Sequence, residues 1–390
     1  MSSQVKIPCT IMRGGTSRGI YFLSSDLPAR PDAWGRILTA VMGSGNPLQV
    51  NGVGGGSTLT SKAAIVSPSD SVDADVDYLF AQVGIEEESV DMGPSCGNIL
   101  SGVAPFAIEA GLVNPEDGST TVRVRNVNTD SFIHVQVNTP EQSVDYEGDT
   151  RIDGVPGSGS PVVLKFLNVC GTKTGKLFPT ANLRDQFDGV EVSCVDASMP
   201  MVLIAAESMG KTGYETKAEL DADTALLQRI ERIRREAGFA MGLGDVTGKV
   251  IPKVGLVAAP ANGGSISNRY FVPDNCHASH SVTGAICVSV ASVVPGTVVH
   301  DFADYAVSDS GSGATSSEDS ASSQDITIRL EHPSGSMDLV LETRSSDAEV
   351  LVDSVGLIRT ARRVFDGYAY VSREVLEPAE NTTDSKKAGS

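Results

Sequence analysis

Short β-branched stretches separated by glycine and proline turns recur along most of the chain, and each reads as a strand. Residues 6–12 and 19–23 flank the turn RGGTSRG and predict a hairpin near the start. Residues 121–127, 132–138, 161–169 and 192–206 have the same character and predict four more strands. Helical spacing is rarer. Over 31–42, Trp34, Ile37, Leu38 and Val41 fall on one face and Gly43 supplies the stop. Over 215–238, Leu226, Leu227, Ile230 and Ile233 share one side while charges occupy the other, which predicts a surface helix.

Two further segments are small or apolar nearly all round: SCGNILSGVAPFAIEAGLV (95–113) and ASHSVTGAICVSVASVVPG (278–296). A helix of that composition belongs in an interior. Setting Gly102 opposite Gly284 aligns Ser101 with Thr283, Leu100 with Val282 and Cys96 with Ala278, about half a chain apart. This predicts an internal duplication: two strand-rich halves, each wrapped around one buried helix. The boundary is expected near 184–189, dividing 1–188 from 189–357, with the second central helix over 278–294. The low-complexity stretch 308–325 reads as a mobile loop, and the polar tail 376–390 as frayed.

At 390 residues the chain has room for two such units, and its 40% hydrophobic and 20% charged residues are ordinary for a soluble globular protein. The net charge of −19 argues against nucleic acid and anionic membrane as partners. A small anionic ligand remains admissible, because a local cluster of donors can bind one against the overall field. Six scattered cysteines without a CxxC pair, and no transmembrane or signal-peptide run, lead to an expectation of reduced thiols and a cytoplasmic location.

The stretch GVGGGSTLTSKAAIV (52–66) resembles a phosphate-binding loop but fails its pattern, since Lys62 is preceded by Ser61 and followed by Ala63. Met209-Gly210-Lys211-Thr212 is a second near miss, with Ala205 where the first glycine is required. Lys62 instead opens an apolar run, either as an edge-strand lysine facing water or as an amine pointing into a cleft. A lysine acting as base must be neutral, a form that burial and nearby cations favour.

Cys96 is predicted at a helix start, where unpaired amides and the helix dipole favour anions and thiolates; packing as a small apolar residue is the plain alternative. In MRGGTSRG (12–19), Arg13, Thr16, Ser17 and Arg18 can form a carboxylate clamp, while Gly14 and Gly15 suit a hairpin turn. Cys276, His277 and His280 in NCHASHSVTG have no evident further partner, so a metal is not expected, and a substrate-facing helix start is. His332 in HPSG reads as a turn histidine. No nucleophile elbow and no dinucleotide fingerprint is present.

Taken in order, MRGGTSRG, NGVGGGSTLTSKAAIV, SCGNILSGV, ASHSVTGAICVSVA, HPSG and RTARRVFDGYAYV make the chain resemble the PrpF family. That resemblance implies an α+β, diaminopimelate epimerase-like fold: two pseudo-symmetric halves, each a curled β-sheet around a central helix, with the site in the cleft between them. It also implies that a strand over 358–375 returns to the first half. The implied activity is isomerisation of an unsaturated di- or tricarboxylate such as aconitate or methylaconitate, with no metal and no organic cofactor. The family's lysine matches Lys62 and its cysteine matches Cys96. Two-cysteine epimerases carry a second cysteine where this chain has Ala278, which favours a lysine–cysteine isomerase.

On this reading Lys62 takes the proton, and Cys96 with the amides of Ser95, Gly97 and Asn98 steadies the developing charge or returns a proton. Thr16, Ser17, Arg18, Ser57, Ser279 and His280 hold the carboxylates, and Gly55 and Gly56 belong to a carboxylate cradle. The partner is then a small-molecule unsaturated polycarboxylate, with a homodimer left open. Two other readings stand beside it: an accessory partner of an aconitase-like dehydratase, and an epimerase acting next to a carboxylate.

Overall fold

The fold is seen in a computed structural model that describes residues 3–93, 95–272, 274–308, 323–346 and 349–376. The first hairpin forms where the pattern places it: β1 (Gln4–Gly14) and β2 (Ser17–Leu23) run antiparallel, with Gly15 at the turn in the left-handed region (φ 50). A 3-10 turn at Pro31–Ala33 leads into α1 (Trp34–Met42), which buries Ile37, Leu38, Val41 and Met42 and ends on left-handed Gly43. Next come β3 (Lys62–Pro68), β4 (Val76–Val83) and the short β5 (Val90–Asp91), then α2 (Gly97–Leu100) and α3 (Val103–Glu109). The strands β6 (Gly118–Asn126), β7 (Ser131–Thr139) and β8 (Pro161–Leu167) follow.

A second series repeats this order. It contains β9 (Asp185–Phe187), β10 (Val190–Ala197), β11 (Met199–Ala205), α4 (Lys217–Ala222), α5 (Thr224–Ala240), β12 (Lys253–Ala258) and β13 (Ile266–Phe271). After these come α6 (Val282–Val293), β14 (Val307–Ser308), β15 (Ser323–His332), β16 (Gly335–Ser346) and β17 (Glu349–Ser372).

The duplication is visible in the pairings. β2 is parallel to β3, β3 antiparallel to β4, β4 parallel to β6, and β6 antiparallel to β7. The same alternation links β11 to β12, β13, β15 and β16 in turn. The helices α2 and α3 occupy the β4-to-β6 crossover, and α6 the matching β13-to-β15 crossover. Side chains of α3 and α6 share one hydrophobic core with strands of both series. β17 ties the series together, pairing with β16, then β8, then along β1 from Gly14 opposite Ala361 to Gln4 opposite Ser372.

Several expected boundaries move. The helix expected over 95–113 breaks at Ser101–Gly102, because Pro105 has no N–H to give the Ser101 carbonyl and so needs a first-turn position, which α3 provides. Gly102 has room there for the buried Tyr21 hydroxyl, which a Cβ would approach to 2.4 Å. The strand expected over 192–206 reverses at Ser198 (φ 62), giving β10 and β11. The helix expected over 215–238 divides at Asp223, whose carboxylate caps α5 by accepting from Leu226 N. The helix expected from 278 starts at Val282 behind the Ser281 cap, so Cys96, itself an N-cap, faces Ser281 in cap register rather than Ala278. A cut at 188 would sever the β9–β10 hairpin, whose turn is Asp188 and Gly189. Of the expected loop 308–325, residues 309–322 lie outside the described residues, as does the tail from 377.

Candidate active site

The starts of the two central helices abut: a Cβ on Gly97 would lie 2.8 Å from the Val282 side chain. Beside them opens a cavity of about 820 Å³. The first series lines it with Thr16, Ser57, Thr58, Leu59, Asn98 and the loop 150–154. The second contributes Lys217, Val272, 275–280, His332, Ser334 and 336–338, and β17 adds Ile358 and Arg359.

Thr16 and Asn98 brace each other across the hairpin, with Asn98 Nδ2 donating to Thr16 Oγ1 at 3.0 Å and Thr16 N to Asn98 Oδ1 at 3.4 Å. A Cβ on Gly15 would strike this Asn98 carboxamide at 2.1 Å, so glycine there lets the turn close on α2. Ser57 Oγ accepts from Leu59 N, leaving its proton to donate. His277 Nδ1 accepts from Ser279 N (3.0 Å) and His332 Nδ1 from Ser334 N (3.2 Å). A ring nitrogen that accepts carries no proton, so each neutral imidazole holds its proton on Nε2. Burial lowers the pKa of His277 and takes that of His332 down to about 4, so both are neutral near pH 7. The Ser334 hydroxyl donates to the Ala278 carbonyl and docks HPSG against the approach to α6.

Lys62 and Cys96 do not line the cavity; both are held by one face of β4. Residues 78, 80 and 82 alternate onto the same side of that strand. Tyr78 donates its hydroxyl to the Cys96 carbonyl (3.2 Å), the Phe80 ring lies 5.2 Å from Lys62 Nζ, and Gln82 Oε1 accepts from Lys62 Nζ at 2.5 Å. The Gln82 amide is oriented by its own Nε2, which donates to Ser61 O and Thr58 O. Lys62 is 8% exposed, and no ion pair involves it among the described residues.

Other expected binding residues take different roles. The amide of Gly56 donates to Gln49 Oε1, and that of Gly54 to Met42 O, so these two N–H groups of the glycine cluster are not free for an anion. Gly55 is packed instead, since a Cβ there would meet Thr60 Oγ1 at 2.6 Å. Neither Gly55 nor Gly56 lines the cavity, which begins at Ser57. Arg13 donates to Gly15 O and Thr360 O and so laces the hairpin to β17 rather than clamping a ligand. The Arg18 guanidinium reaches the Val53 carbonyl at 3.5 Å, with no acid paired to it among the described residues, and lies outside the lining.

Ser17 is buried outside the cavity lining, and its Oγ has no partner among the described residues. Ser95 Oγ accepts from Asn126, and Gly97 serves the contact with Val282. His280 lines the wall, but its ring nitrogens face Ser281 O and Asn268 Oδ1 at 2.9 Å each, leaving neither for a carboxylate. Burial depresses its pKa to about 3. Among the described residues no group of three His, Cys, Asp or Glu side chains is placed to hold a metal, and no helix is long and apolar enough to cross a membrane.

Arg359, His277 as a cavity donor, and the loop 150–154 also line the cavity, beyond the residues expected from sequence. The sequence also marks His332 as a turn residue, although that side chain faces the cavity. For Arg359 the available signal was a single charge in the apolar run VGLIRTA.

The family model described as PrpF protein matches residues 4–372. "Putative isomerase YbhH" of Escherichia coli strain K12 is 52% identical over 94% of this chain and 99% of its own length. The 4-oxalomesaconate tautomerase of Pseudomonas putida is 46% identical over 95% of this chain and 98% of its own. Among solved structures, that of a methylitaconate-delta-isomerase matches with a TM-score of 0.81 and 32% identity, covering 97% of this chain and 99% of the other. The expected α+β, diaminopimelate epimerase-like architecture, with its two pseudo-symmetric halves, therefore holds.

Proposed function

This chain belongs to the PrpF family and is an isomerase, and on that premise we propose that it moves or inverts the double bond of an aconitate-like unsaturated di- or tricarboxylate. Neutral Lys62 removes a proton from the allylic carbon, becoming the ammonium. The freed electron pair spreads over three carbons and the conjugated carboxylate as a dienolate. The proton on the Lys62 ammonium then returns to the far carbon, leaving the double bond shifted by one position; where the Cys96 thiol delivers it instead, the Lys62 ammonium afterwards reprotonates the thiolate. Rotation within the delocalised anion followed by return to the original carbon gives the cis–trans change instead. No redox change and no external group enters this balance.

The observation that carries the reading is the shared anchoring of Lys62 and Cys96 by Tyr78, Phe80 and Gln82 on one face of β4. It gives an enclosed amine and a helix-start thiol one common support next to a cavity rich in hydroxyl and imidazole donors. The names of the relatives support the class of substrate: one acts on 4-oxalomesaconate and another on methylitaconate. The test is proton NMR in D₂O with cis-aconitate, trans-aconitate, methylaconitate and methylitaconate. A displaced double bond with deuterium incorporated is expected for at least one acid. Lys62→Ala is expected to lower the rate by at least about 100-fold, and near-normal turnover would refute its role as base.

A further inference from the structure

Arg359 is the one arginine of the cavity wall with buried, unsatisfied donors. It lies on β17 opposite Val162 of β8, is 7% exposed, and lines the cavity next to Ile358. A guanidinium has five N–H donors in a planar fork. Here Nη1 meets the carbonyl of its own neighbour Ile358 at 2.9 Å, and Nη2 meets only the Met337 thioether, a weak acceptor. Nε has no partner among the described residues. No carboxylate pairs with this cation among the described residues, although the chain carries 49 acidic residues and the other arginines of β16 and β17 that form ion pairs do so with aspartate or glutamate. Burial lowers its pKa to about 10, and no neighbouring charge opposes that shift.

A buried, uncompensated charge is costly and persists where something else supplies its counter-ion. The same wall carries the Ser334 and Ser336 hydroxyls and the His332 imidazole, whose protonation Arg359 disfavours, while its acids Asp153 and Asp338 bond to Ser336 N and to Arg329 rather than to Arg359. Thr360, the next residue, accepts from Gly15 N and Arg13, so the backbone carrying Arg359 is fixed to the turn that presents Thr16. We infer that Arg359 is a substrate anchor, its guanidinium donating to one carboxylate of the acid and so setting the number of carboxylates the site demands. This rests on the polycarboxylate reading above and extends it to a residue outside the lysine–cysteine pair.

The experiment uses tricarballylate, a saturated tricarboxylate that cannot undergo allylic isomerisation, with glutarate and succinate as acids bearing one carboxylate fewer. Binding to the full chain is followed by calorimetry, and thermal unfolding is followed with and without acid. Arg359→Met is expected to weaken tricarballylate by at least about 30-fold and to abolish its stabilisation of the fold. Without ligand, the same variant should unfold at the same temperature as wild type or higher, because it removes an unpaired buried charge. Arg359→Lys keeps the charge without the fork and should recover only part of the affinity. Undiminished tricarballylate binding by a folded Arg359→Met protein would overturn the anchor, as would a wild type that binds none of the three acids. Because this ligand does not react, its binding stands apart from turnover. An anchor confirmed here with no isomerisation in D₂O would refute the isomerase chemistry alone.

Discussion

Replacing Gln82 by glutamate sets a negative charge where Lys62 Nζ now meets a neutral amide oxygen, 2.5 Å away. At 4 Å and an effective dielectric of 20, a pair of unit charges is worth about 4 kcal/mol. Each 1.36 kcal/mol is about tenfold in the ratio of ammonium to amine. Lys62 is 8% exposed, so water screens only part of this, and the neutral amine becomes scarcer by about two to three orders of magnitude. The substitution also removes the bonds from Gln82 Nε2 to Ser61 O and Thr58 O. Gln82→Met loses the same bonds without adding charge and isolates the electrostatic part. Rates of deuterium incorporation, read by NMR across a pH series, should place Gln82→Glu about 100- to 1,000-fold below Gln82→Met near pH 7. That gap should narrow as pH rises. Equal rates for the two folded variants at every pH would mean that Lys62 does not act as a free amine, and the base assignment would fall.

Two further outcomes test the fold beneath the site. Gly102→Ala should lower stability by about 1–3 kcal/mol, because its Cβ would sit 2.4 Å from the Tyr21 hydroxyl, itself held to Ile99 O; an unchanged melting temperature would refute the tight approach. Burial holds His280 at about 3 and His332 at about 4, below the unfolded value near 6.5. Below that unfolded pKa the unfolded chain binds more protons, so stability is full above it and is lost as pH falls toward the folded values. Urea unfolding at pH 5 should show about 1–2 kcal/mol lost per histidine relative to pH 7, and His280→Gln should flatten the slope; equal stability at both pH values would refute it.

Part of the candidate cavity was legible because its residues sit in turns with their own local signature. Thr16, Ser57, Asn98 and Ser279 all border glycine turns or helix starts, and all four line the cavity. The glycine cluster misled for a related reason. Glycine turns expose amides, but whether those amides stay free depended on Gln49, a buried side chain that consumes one of them. His280 misled likewise, since nothing in its neighbours announced that Asn268, a β-strand away, would occupy its ring.

The sequence alone marked out the first hairpin, β6, β7, β8 and the repeat of two small-residue segments, because periodicity and turn chemistry act between covalent neighbours. It also singled out Lys62 and Cys96 as unusual residues. Only the tertiary structure set these two on one face of β4, broke the first central helix around Tyr21, and laid β17 between β8 and β16 so that Arg359 reached the cavity without an ion pair among the described residues. Burial and charge compensation belong to the assembled surroundings of a group. A lone arginine in an apolar strand acquires its meaning when the chain around it buries the guanidinium and leaves it without a paired carboxylate.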